Sequence, residues 1–384
     1  MTGIKVHRAT IKEQPLWDAY TAKKGSFFHR FGWGEVIKST YGHDPLYLYA
    51  ERVGEIVGIL PLIDRRSPLL GRALISVGFT VGGGIIADEE EVSEALLQRA
   101  TKEARARGVD YIELRDLCVP HGAQTSVGST PSEPWTHTGV CRHRRTSGGE
   151  RQNADLGADL QRKQGIYDNF SMALAPDVDA RLKAIPRKKR ADVRKAITQA
   201  EEGALSADLS SDVDLFWRGY AAAQRDHGTP VFPKKWLSAQ AAAFGDAMEI
   251  TFVHGLDAAR PLAGVITYYH REVAHLYHAF ISPEARRSHA GEYLYWWMMG
   301  RALERGARIF DLGRSKVGTG SHAYKTYWGM EPRPMVYRYK MLNGESLPNV
   351  NPQNPKFARF VAAWRHLPLP VANRLGPLLA GHFA

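Results

Sequence analysis

Cysteine is nearly absent from this 384-residue chain: only Cys118 and Cys141 occur. Two thiols build neither a disulfide scaffold nor a cysteine metal cage, and they fit a reducing compartment. Long apolar runs are missing too. The longest uncharged stretch, Ala73 to Ala87, is Gly-rich and shorter than the ~20 residues a membrane-spanning helix needs. The N-terminal MTGIKVHRATIKEQPLWDAY has no continuous apolar core, so no secretory signal is read there. HExxH, GxSxG and GxxxxGK[ST] do not occur, which removes the usual support for metalloprotease, hydrolase and kinase readings. His270, His275 and His278 point to different faces of a strand, so no metal site is expected. A cytoplasmic protein follows, with peripheral contact at the inner face of the membrane left open.

Acidic residues are in deficit. The 40 Asp and Glu against 51 Lys and Arg leave a formal charge of +11, so an anionic partner is expected. Hydrophobic residues at 44% and charged residues at 24% are ordinary for a folded chain of two or three domains.

Two similar halves are present. Leu46 to Ile63 predicts a hairpin about Val53-Gly54-Glu55, and Ala73 to Ile86 a further apolar run broken at Gly82-Gly83-Gly84. EEEVSEALLQRATKEARARG then predicts a helix, with Val92, Leu96, Ala100 and Ala104 at i+4 spacing and Gly108 past its end. A strand at Tyr111 to Leu114 follows. The order returns as a hairpin over Arg260 to Phe280, a helix over GEYLYWWMMGRALERG and a strand at Ile309 to Leu312. ARARGVDYIEL matched to RALERGARIFDL sets Gly108 on Gly306 and Glu113 on Asp311. Such a repeat implies duplicated α/β domains. We expect them at 1–120 and 166–345, joined by a polar, flexible segment over 121–165. A Pro-punctuated basic-aromatic tail over 346–384 is expected to hold a short helix around Phe357 to Trp364.

Four segments carry candidate chemistry. IPRKKRADVRKAITQAEEG predicts a helix with Arg187, Arg190 and Arg194 in one stripe, Lys188 and Lys195 beside it, and Val193, Ile197 and Ala200 on another side. Clustered guanidinium and ammonium groups suit phosphate, although a solvated face would show the same charge. DLGRSKVGTGSHAYKTYWGMEP follows the last strand of the second half, the edge where α/β folds hold ligands. It reads as a Gly-rich loop carrying Arg314 and Ser315, then Tyr324, Lys325 and Trp328. Its G-x-G-x-x-A lacks room for a βαβ helix, so no dinucleotide site is read there. A lysine flanked by aromatics suits a developing oxyanion or a phosphate; most loop lysines are merely solvated. The Gly- and Pro-bounded loop around Thr229 and Phe232 suits a pocket wall or a plain turn. SFFHRFGWGEVIKSTYGHDPLYLYAE is read mainly as core.

The order FHRFGWGEVIKSTYGHDPLYLYAE, VGILPL, IPRKKRADVRKA, GTPVFPKKW, IFDLGRSKVGTGSHAYKTYWG and NPKF resembles the FemAB-like proteins of exosortase and PEP-CTERM systems, within the Fem/GNAT acyltransferase superfamily. The resemblance spans most of the chain outside 121–165. It implies an α/β (α+β) fold of two tandem GNAT-like domains, each a mixed, curved sheet flanked by helices. It also implies transfer of an aminoacyl or acyl group to an amine of a cell-envelope or exopolysaccharide-linked acceptor. The donor would be aminoacyl-tRNA, acyl-CoA, an acyl carrier protein or a nucleotide-linked precursor, with no tightly bound cofactor. Lys325 matches the lysine of the family's aromatic-Lys-x-x-aromatic-Gly segment and would be catalytic. The helix around Arg187, Lys188, Arg190 and Arg194, with Arg314, would serve anionic substrate parts. Arg287 to Glu292 stands where acetyl-CoA enzymes show [QR]-x-x-G-x-[GA]; it lacks the first glycine and ends in Glu292, which opposes a pyrophosphate. The long helical arm of several Fem transferases is also missing. A catalytically idle scaffold that binds an anionic partner is the non-enzymatic alternative.

Overall fold

The computed structural model describes residues 3–68, 70–117, 160–257, 259–344 and 355–382. Cys118, Cys141 and most of the expected linker lie outside these residues. The described residues form two compact units.

The first unit begins with β1 (Lys5–Arg8), α1 (Gln14–Lys24), α2 (Gly32–Tyr41), β2 (Asp44–Arg52), β3 (Glu55–Ser67) and β4 (Gly71–Ser76). It continues with β5 (Ile86–Ala87), α3 (Glu90–Arg107), β6 (Tyr111–Leu117) and β7 (Leu160–Lys163). Thus the last part of the expected flexible segment is a strand. Helix α3 forms where its periodicity requires: Val92, Leu96, Ala100 and Ala104 are buried on one stripe, and Glu90 and Glu91 sit in the first turn. Gly108 ends it with φ +60°, a conformation that costs a residue without Cβ little. The stripe packs on Leu46, Leu48, Leu60, Leu62, Ile112 and Leu114 of the sheet. Each such fully buried side chain contributes about 1.5–3 kcal/mol.

The second unit holds β8 (Tyr167–Ala173), α4 (Val178–Ala184), α5 (Arg187–Glu201), β9 (Ser206–Ser210), α6 (Val213–His227), α7 (Lys234–Phe244) and β10 (Met248–His254). Next come β11 (Ala263–His270), β12 (Val273–Ile281), α8 (Ala290–Glu304), β13 (Ile309–Lys316) and α9 (Gly320–Tyr327). After β14 (Glu331–Met341), α10 (Pro355–Arg365) and α11 (Leu369–Ala380) close the chain, and both pack on α6. The segment read as a Gly-rich loop is therefore the end of β13 followed by a short helix, started by the Thr319 hydroxyl accepting from the His322 amide.

The repeat is real, but offset from its sequence reading. Unit one orders its strands β1-β2-β3-β4-β6 and unit two β9-β10-β11-β12-β13. Two helices follow the first strand in each, and one helix precedes the last. The hairpin β2–β3 is thus equivalent to β10–β11 rather than to Arg260–Phe280. In both units the closing pair is parallel and three residue pairs long: Ala73↔Tyr111 to Ile75↔Glu113, and Val273↔Ile309 to His275↔Asp311. Glu113 and Asp311, aligned by sequence, occupy the same last rung.

One boundary differs. Residues 333–344 belong to the first unit, not the second, because β14 pairs antiparallel with β6 from Met335↔Leu117 to Met341↔Tyr111 and carries β7 on its other side. The described tail residues, 355–382, group with the second unit instead of standing apart.

Candidate functional site

Beyond His275↔Asp311, β12 and β13 register no further pair, although they run on to Ile281 and Lys316. Parting strands leave backbone groups that need other partners. On β13 the partner is Lys325, whose ammonium donates to the carbonyls of Leu312 (2.6 Å), Gly313 (3.0 Å) and Arg314 (3.1 Å). Lys325 is 8% exposed. Burial lowers it to about 8, with the charge of Asp311 opposing and that of Arg314 adding. At neutral pH it is therefore an ammonium with three donors, all used. Lys325, which the family resemblance implies is catalytic, thus has its ammonium on three carbonyls of β13.

At the fork, the Asp311 carboxylate lies 2.9 Å from His275 Nδ1 and accepts from Asn169 Nδ2 (3.2 Å) and the Gly313 amide (2.7 Å). Gly313 has φ +63°, so this turn of β13 suits glycine. Burial alone would raise the Asp311 carboxyl, yet His275, the Gly313 amide and Lys325 hold it below the usual carboxylate range. A second pair stands nearer solvent: His322 Nε2 on α9 lies 2.9 Å from Asp168 Oδ2 on β8. Neither pair was legible as a site in the sequence. The match of Asp311 to Glu113 was the one available signal for the first; a separation of 154 positions from Asp168 to His322 hides the second.

Ser315 is buried and Arg314 half-buried on the parted stretch of β13. Tyr324 and Trp328 flank a cation that sequence reading overlooked. Lys189 is buried in α5 with its ammonium 4.8 Å from the Tyr324 ring and 5.7 Å from that of Trp328, and it is hydrogen-bonded to Glu292 in the first turn of α8. Its place was readable: Lys189, Val193 and Ala196 follow i, i+4, i+7 on the packed face. Of the cations singled out on α5, Arg190 bonds the carbonyls of Lys183 (2.7 Å) and Ile185 (2.9 Å) and so caps α4. Arg187, Lys188, Arg194 and Lys195 are exposed and form no ion pair among the described residues. Thr229 is exposed, with its amide on the Gln224 carbonyl at the end of α6. Phe232 stacks on Trp236 at 5.2 Å and meets the His278 ring edge-on at 5.7 Å.

The equivalent stretch of β6 in unit one is satisfied by its own chain. The Arg115 amide donates to Ser76 Oγ (2.9 Å), the Gly83 amide donates to the Arg115 carbonyl (3.0 Å), and the Arg115 guanidinium binds Glu113 (2.7 Å) and the Thr80 carbonyl (3.3 Å). The Arg115 guanidinium thus stands against Glu113 where the His275 ring stands against Asp311 in unit two.

Residues 187–326 match the family model described as an acetyltransferase (GNAT) domain. The described residues have the tandem GNAT fold. FemX superposes with TM-score 0.65 at 15% identity, over 88% of this chain and 98% of that one. The C-terminal domain of a putative lysylphosphatidylglycerol synthetase from Agrobacterium fabrum gives 0.51 at 12%, over 92% and 94%. A tandem GNAT protein from the clavulanic acid biosynthesis pathway gives 0.51 at 11%, over 89% and 100%. No curated protein sequence matches the chain. In GNAT terms, the helix that follows the antiparallel strands is α3 in unit one and α8 in unit two. Both begin with carboxylates: Glu89 to Glu91, with Glu89 paired to Arg52 at 2.9 Å, and Glu292. Helix N-termini favour anions from outside; here those positions already hold negative charge.

Proposed function

We propose that the second unit transfers an aminoacyl or acyl group from an anionic carrier to an amine, and that the carrier is tRNA rather than coenzyme A. The acceptor on this reading is cell-envelope or exopolysaccharide-linked, as in the FemAB-like proteins of exosortase and PEP-CTERM systems that the motif order resembles. The observation that carries the reading is the parallel pair parting at His275 and Asp311, beside a strand held by Lys325. An extended acyl or aminoacyl group can lie against such an edge. The amine attacks the activated ester carbonyl directly, the tetrahedral oxyanion collapses, and the carrier hydroxyl leaves. The protein then needs only to align the partners, take the amine's proton and stabilise charge. His322, oriented by Asp168, is assigned the proton. Lys325 is assigned the positioning of β13, and Arg314 an anionic substrate part. The carboxylates heading α3 and α8 weigh against a pyrophosphate, whereas Arg187, Lys188 and Arg194 are exposed and unpaired among the described residues.

Donor identification tests this. The full-length protein is incubated with charged tRNA pools and with acyl-CoA pools plus an amine acceptor, and products are read by mass spectrometry. Deacylated tRNA with a matching amide is expected. Consumption of acyl-CoA instead would overturn the donor assignment, and consumption of neither would leave the scaffold reading.

The α5 cations give a separate prediction. Replacing Arg187, Lys188 and Arg194 with glutamine should weaken tRNA binding and reduce the slope of log affinity against log salt by about 2, three lost phosphate contacts at ~0.7 each. Arg190 is spared because it holds α4. An unchanged slope in a filter-binding titration would make the stripe a solvated face.

A further inference from the structure

Along the outer face of α8, away from the fork, runs a groove of about 430 Å³, within the ~300–1,000 Å³ of small-molecule sites. Tyr293, Trp296, Trp297 and Gly300 of α8 form one wall, at i, i+3, i+4 and i+7; Ile197, Ala200 and Glu201 of α5 form the other. Arg181 of α4 enters it. Its guanidinium lies 4.8 Å over the Trp296 ring, and the residue is only 8% exposed. Its Nε is buried without a hydrogen-bond partner, and no carboxylate of the described residues lies within ion-pair distance. Asp177, whose charge is felt there, instead caps α4 through the Ala180 amide. The other cation of the groove, Arg301, is fully engaged with Glu249 (2.6 and 3.1 Å) and Glu304 (3.1 Å). Arg181 is thus a buried cation lacking a counter-ion among the described residues, and burial lowers its proton affinity accordingly. Proteins rarely keep such a group without an anion to meet it.

We infer that this groove binds a singly charged carboxylate attached to a flat or aliphatic body, with Arg181 taking the carboxylate and Trp296, Trp297 and Tyr293 the body. A forked guanidinium matches a carboxylate edge to edge. Glu201 and Glu304 on the rim disfavour a doubly charged phosphate. Gly300 gives the groove its depth, since a Cβ there meets nothing within 4 Å. The site is independent of the fork, and its occupancy needs no transfer chemistry.

Calorimetric titration of the full-length protein with indole-3-acetate, indole-3-acetamide and phenyl phosphate tests this. The acetate should bind saturably and at least ~10-fold tighter than its neutral amide, the margin expected of a charge-assisted contact. Arg181→Gln should erase that margin, and Gly300→Leu should abolish binding of both indoles by filling the groove. Without ligand, Arg181→Met should leave the thermal midpoint unchanged or higher. Equal affinity for acetate and amide, a margin that survives Arg181→Gln, or phenyl phosphate as the tightest probe would overturn the assignment. So would a midpoint lowered in Arg181→Met by more than ~8 °C, beyond what losing the stack on Trp296 accounts for, because the guanidinium would then have an internal counter-ion.

Discussion

Lys325→Met is expected to lower the unfolding free energy by about 3–5 kcal/mol, the usual cost of removing one partner from a buried charged contact. The carbonyls of Leu312, Gly313 and Arg314 lose their shared donor, and each buried carbonyl left unsatisfied costs about 1–3 kcal/mol. Lys325→Arg should recover only part of the loss, because a planar guanidinium does not match three carbonyls converging on one nitrogen. Denaturant unfolding of the two variants beside the parent measures this. A lysine acting on substrate would behave differently: turnover would fall and the unfolding midpoint would stay in place. That result would return Lys325 to the chemistry and remove it from the scaffold.

The acid limb of stability should be governed by His278. It is buried among Tyr220, Phe232, Trp236 and Tyr277, none of them charged at neutral pH, and burial pushes it down to about 3 from 6.5. The Trp236 indole N–H donates to His278 Nε2 at 3.3 Å. Indole only donates, so that nitrogen keeps its lone pair and the ring is neutral. In the unfolded chain the ring takes a proton below about pH 6.5 while the folded chain refuses it, so stability falls as pH drops from 6.5 towards 3. At ~1.36 kcal/mol per pH unit, about 3 kcal/mol is lost by pH 4. Asp311 works in a lower window: its depressed carboxyl contributes stability above the unfolded value of 3.8 that is lost only as pH falls further. His278→Gln keeps an acceptor for Trp236 and should flatten the limb between pH 6.5 and 4. A slope equal to the parent's, followed by urea unfolding at several pH values, would refute the assignment.

The elements of this fold were largely readable where they depend on local periodicity. Helix α3 and the strand after it follow from spacing, and so does the duplicated order. The offset in the repeat arose because β10, MEITFVH, carries Glu249 and Thr251 within its run and drew no notice beside the stronger signals of β11 and β12. The partner of β14 was not readable at all: its alternation states that it is a strand, while the neighbour that accepts it is more than 200 residues away in the chain. The site divides the same way. Charge density on α5 was visible, but which cation faces inward was decided by one stripe containing Lys189, and Arg190 was claimed by the carbonyls at the end of the preceding helix. The three backbone oxygens that hold the Lys325 ammonium leave no mark in a sequence.

The late arrival of β14 has a consequence during synthesis. Domains begin to form as they leave the ribosome, N-terminal parts first, yet the first unit waits for residues 333–341 before β6 has its neighbour on that side. For most of translation β6 therefore presents an open row of amides and carbonyls, the feature that invites strands of other chains to attach. Expression of residues 1–167 alone would make that transient hazard permanent, so a fragment cut to isolate the first unit should carry the β14 segment grafted behind it.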